Sequence, residues 1–81
     1  MLTRLELRFE RMDVAEAARI QYELLKRRNV WRAFINGPAG RGFVVFEGEI
    51  ELPGNFEVIG ERKLTLEELI ELSLSERNVL Q

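Results

Sequence analysis

The stretch that most limits what this chain can fold into is Phe43 to Leu52, Phe-Val-Val-Phe-Glu-Gly-Glu-Ile-Glu-Leu, the longest strand-like run, with turn signals on both sides. By the period of two, Val44, Phe46, Gly48, Ile50 and Leu52 fall on one face, and Phe43, Val45, Glu47, Glu49 and Glu51 on the other. The first face reads as core. The second changes midway from two apolar residues to three glutamates, so one end is wet and the other requires a cover. The run is therefore the expected central strand. Gly48, inside it, marks either a bulge or a place where something packs close to the backbone.

The flanking segments supply the partners for such a strand. Leu2 to Phe9 alternates, with Leu5, Leu7 and Phe9 on one side and Arg4, Glu6 and Arg8 on the other, the pattern of a strand with one buried face. Asp13 and Glu16 form an N-cap pair that opens a helix expected over Val14 to Arg28. Val14, Ala17, Ala18, Gln21, Leu24 and Leu25 gather on one arc of it, with Ile20 and Tyr22 at the margins. Gln21 is the polar member of that arc, and a local hydrogen bond is its expected role. Val30 to Ile35 reads as a second strand with poor alternation: Trp31, Ala33 and Ile35 share one side, Val30, Arg32 and Phe34 the other, so both faces are largely apolar. The glycine-rich Asn36 to Gly42 is a turn region. Pro53-Gly54 suits the centre of a type II turn closing the next hairpin, with a fourth strand over Phe56 to Ile59. Thr65 and Glu68 form a capping box, and Leu64 can staple onto Leu69. A second helix is expected to about Glu76, with residues 75–81 as a frayed end on which Val79 and Leu80 could dock.

These elements make one α+β domain over residues 1–81, in the order β-α-β-β-β-α, with a four-stranded mixed sheet and two helices. Strands one and two are expected parallel, with the first helix crossing between them, and strands two to four antiparallel in a meander. The sequence leaves open whether the second helix lies beside the first or on the opposite face, where Trp31, Ile35, Phe43 and Val45 need cover.

A chain of 81 residues buries only about 60 to 65% of the surface it exposes when unfolded. Without cysteine or histidine it has neither disulfides nor thiolate metal sites to add stability, and self-association is the remaining common device. No apolar run approaches the roughly 18 residues that span a bilayer, and Arg4, Glu6 and Arg8 stand where a signal peptide would be apolar. A soluble, unexported, cytoplasmic protein is expected. The preference for Glu and Arg over Asp and Lys is compatible with a thermophilic source.

Catalysis is not expected. Acyl transfer, metal hydrolysis and acid-base chemistry lean on His, Cys and Asp, and the single Asp of this chain is claimed by a helix cap. Glu47, Glu49 and Glu51 could hold a hard cation but read as a solvated strand face, and neither a metal nor another cofactor is expected. The loop from Gly37 to Gly42 lacks a P-loop ending and leads into a strand, so it reads as hairpin punctuation. A net charge of −2 argues against nucleic-acid binding, yet Lys26, Arg27, Arg28, Arg32, Arg41, Arg62 and Lys63 form the patch such binding would use. From the first helix onward, the order helix-strand-strand-strand-helix with Gly37-Pro38 in the first inter-strand loop is similar to the double-stranded RNA-binding domain. That resemblance implies RNA as a ligand. The family typically has a histidine after its Gly-Pro and a lysine-rich start to its last helix, where this chain has Ala39-Gly40 and Thr65-Leu66-Glu67-Glu68, and glutamates there repel phosphate. The leading expectation is therefore a non-enzymatic protein that acts by protein-protein contact and is a homo-oligomer, a dimer, through Trp31, Ile35, Phe43 and Val45.

Overall fold

The structure, a computed structural model, describes residues 1–80, with side chains to residue 75. Its elements are β1 (Leu2–Arg8), α1 (Val14–Leu25), β2 (Val30–Asn36), β3 (Arg41–Glu47), β4 (Glu57–Leu64) and α2 (Leu66–Leu80). They follow the expected order, in one four-stranded sheet ordered β2-β3-β1-β4.

Every neighbouring pair in that sheet is antiparallel, which corrects the expected mixed sheet. β1 and β2 do run in the same direction, but β3 lies between them. The reason is local: α1 carries the chain one strand position past β1, and the tight turn after Asn36 brings β3 back into the gap, where it bonds to a strand on each side. This is the split β-α-β arrangement. The turn is fixed in place by the chain it touches. Met12 N–H donates to the Gly37 carbonyl and Phe9 N–H to that of Gly40, both at 3.0 Å. A Cβ at Gly37 would stand 2.6 Å from the Met12 carbonyl oxygen, so only glycine fits there.

The central strand is shorter than its alternation suggests. β3 ends at Glu47, and Gly48, at φ +80 with no atom within 4 Å of a Cβ built on it, is where the chain leaves the sheet. It is neither a bulge nor a close approach. Residues 48–56 then cross the α1 face of the sheet as coil. Ile50, Leu52 and Phe56 pack on the same core as Val44 and Phe46, so the expected core face is met by irregular chain. Asn29 holds this coil by donating its side-chain amide to the carbonyls of Glu47 (3.0 Å) and Glu49 (2.6 Å), and the Arg27 guanidinium donates to the Glu51 carbonyl. The Pro53-Gly54 turn, with Gly54 at φ +101, serves this coil and closes no hairpin, because β4 pairs with β1 on the far side of the sheet. Glu47, Glu49 and Glu51 accordingly share no strand face.

The poor alternation of β2 has a physical cause. Its register against β3 shifts between Val30 and Arg32, so Trp31 is an extra residue on the edge strand. The bulge reverses the parity of the strand: Val30, Ala33 and Ile35 all meet the α1 core, while Arg32 and Phe34 lie toward Phe43 on the other face.

Two cores result. Leu5, Leu7, Ala17, Ile20, Leu24, Val30, Ile35, Val44 and Phe46 fill the space between α1 and the sheet, and Leu2, Phe43, Val45, Leu64 and Leu69 fill the space under α2 on the opposite face. α2 is anchored where the capping box stands: Glu68 N–H donates to Thr65 Oγ1, and Thr65 N–H to the Glu68 carboxylate, each at 3.1 Å. The Thr65 backbone donor contributes most to holding the Glu68 carboxyl below its ordinary value, with the Thr65 side chain and Arg62 acting in the same direction. Leu64 and Leu69, the stapled pair, are both buried. The helix continues past Glu76 to Leu80, and the expected docking of Val79 and Leu80 falls outside the described side chains. α1, by contrast, stops at Leu25, before the expected Arg28: the Lys26 amide still makes an α-helical bond to the Tyr22 carbonyl, but the Arg27 amide donates to the Leu24 carbonyl three residues back, tightening the last turn out of the α-helix.

If both faces are true core, Leu24→Ala and Leu64→Ala, each removing a side chain with no exposed surface, should each lower the unfolding free energy by roughly 2–5 kcal/mol in urea denaturation. A Leu64→Ala cost near zero would mean that α2 does not cover its face.

Candidate functional site

The sheet has two edges, β2 and β4, and they differ in chemistry. An open edge presents unpaired N–H and C=O groups, and charge or irregularity usually blunts it. β4 carries Glu57, Glu61, Arg62 and Lys63 and an irregularity between its pairing with Glu6 and with Leu7. β2, Val-Trp-Arg-Ala-Phe-Ile-Asn, carries one charge.

The helices enlarge this difference. At about 100° per residue, Ala17, Ile20 and Leu24 of α1 turn into the core and are buried, while the adjoining arc of Val14, Ala18, Tyr22 and Leu25 is exposed. That arc lines an open depression with Phe34, Ile35 and Pro38 along β2. α2 repeats the pattern. Leu69 is buried, and the adjoining Leu66, Ile70 and Leu74 are exposed, lining a second depression with Trp31 and Arg32 of β2. Of the eleven large hydrophobic side chains exposed among the described residues, eight belong to β2 or border it: Val14, Tyr22 and Leu25 on the α1 side, Leu66, Ile70 and Leu74 on the α2 side, and Trp31 and Phe34 on the strand itself, at 45 to 69% exposure. Met1, Val58 and Ile59 are the remaining three.

One contact limits what β2 itself can do. Ile35 N–H, which faces away from the β3 ladder, donates to Gln21 Oε1 at 2.9 Å. The polar residue of the α1 arc thus has the local hydrogen bond expected of it, and it occupies a donor that a passing strand would use.

The residues expected to form an apolar sheet face are separated by the second helix. Phe43 and Val45 lie in the core under α2, Ile35 lies in the α1 core because of the β2 bulge, and Trp31, half exposed, stays at the surface. The exposed apolar surface therefore belongs to the flanks of β2 and to the helices. Sequence patterning missed Leu66, Ile70, Leu74 and Tyr22 as surface residues. Their signal was an apolar arc in each helix wider than a single sheet contact needs.

The expected basic patch is dispersed. Lys26 pairs with Glu23, Arg27 holds the coil, and Arg28 is exposed beyond the end of α1. Arg32 donates to Ser73 Oγ at 3.0 Å, and Arg62 pairs with Glu68 at 3.2 Å. Lys63 donates to Thr3 Oγ1 at 2.9 Å, and Arg41 sits beside Arg8 at the other end of the sheet. A residue outside that set has a larger structural role. Arg4 stacks on the Phe43 ring with its guanidinium carbon 3.9 Å from the centroid, and Arg32 approaches the same ring at 5.5 Å. Cross-strand register puts Arg32, Val45, Arg4 and Arg62 in one row beneath α2, where stacking and ion pairs engage the cations within the fold. Among the described residues no cluster of three or more carboxylates is placed to hold a metal ion, and no helix is long and apolar enough to cross a membrane.

Residues 6–80 match the family described as protein of unknown function (DUF3213). No curated protein and no solved structure matches the chain.

Replacing Gln21 by Ala should free the Ile35 amide. The expected result is faster hydrogen exchange at Ile35 with a stability loss of roughly 1 kcal/mol; unchanged exchange there would show that Gln21 does not guard the edge.

Proposed function

The chain belongs to the DUF3213 family, whose description names no activity, and we propose that it works by protein-protein contact, associating with a second copy of itself through the surface around β2. One observation carries this reading: the exposed large hydrophobic residues gather on the two flanks of one edge strand, whereas the opposite edge is charged. Monomeric soluble proteins rarely expose contiguous apolar patches of more than a few hundred Å². A chain of this length has little core to spare, and covering eight such side chains would add stability that its own elements do not supply. The reading needs no catalytic group and no cofactor.

Light scattering coupled to size exclusion at micromolar concentration should give a dimer. Tyr22→Glu and Ile70→Glu, each placing a charge on an exposed apolar flank, should shift the mass to that of a monomer while helical circular dichroism is retained. A wild-type monomer over the whole concentration range would overturn the proposal.

A further inference from the structure

We draw no further inference here: the strongest candidate, the pair of exposed apolar arcs on α1 and α2 that flank the β2 edge, belongs to the surface already proposed for self-association, and nothing in the structure shows which partner face covers it.

Discussion

β3 has no exposed face over its central residues, and the other elements are arranged by that constraint. Val44 and Val45 point in opposite directions and neither has any accessible surface, so cover is needed on both sides of a sheet made from a short chain. On one side α1 and the coil of residues 48–56 divide the work. On the other, α2 must do it, with Arg4 and Arg32 flattened against Phe43 where apolar side chains run out. The position of β3 between β2 and β1 follows from the same requirement, because a strand apolar on both faces gains most from an interior place.

Covering both faces uses up the chain before the β2 edge is finished. Each helix has an apolar arc wider than its contact with the sheet, and in each the surplus points to the same edge. Gln21 closes one backbone donor there, and the Trp31 bulge twists the strand; both hinder indiscriminate strand pairing. Neither removes the apolar surface on the flanks. That surface is what the proposed association with a second copy would cover.

The reach of the sequence differs from element to element. Strand and helix identities followed from period and capping: Asp13 and the Thr65–Glu68 box start their helices at the expected places, and the Gln21 bond was foreseen from its position on an apolar arc. What failed was non-local. Glu47, Gly48 and Ile50 continue the alternation of β3, but coil can present Ile50 and Leu52 to the core as well as a strand can, and only the positive φ at Gly48 marks the difference. The insertion of β3 between β1 and β2 depends on the length of the α1 crossover, which hydrophobic period does not report. The residues expected to share one apolar sheet face are divided for one compact reason: a single-residue bulge at Trp31 exchanges the two faces of β2, and α2 takes the face that was expected to be bare. Basic residues close in sequence, such as Lys26 and Arg27, proved to be engaged within the fold, while Arg4, unremarkable in sequence, lies at the centre of the arginine row.

The central claim is that the flanks of β2 are the unfinished part of a core that a second copy completes. Isotope-filtered nuclear Overhauser spectroscopy on a mixture of labelled and unlabelled protein reads this directly. The account predicts intermolecular contacts that involve the exposed Tyr22, Trp31, Phe34 and Ile70 side chains around β2. Intermolecular contacts confined to the β4 edge, or none at concentrations where the surface should be filled, would contradict it.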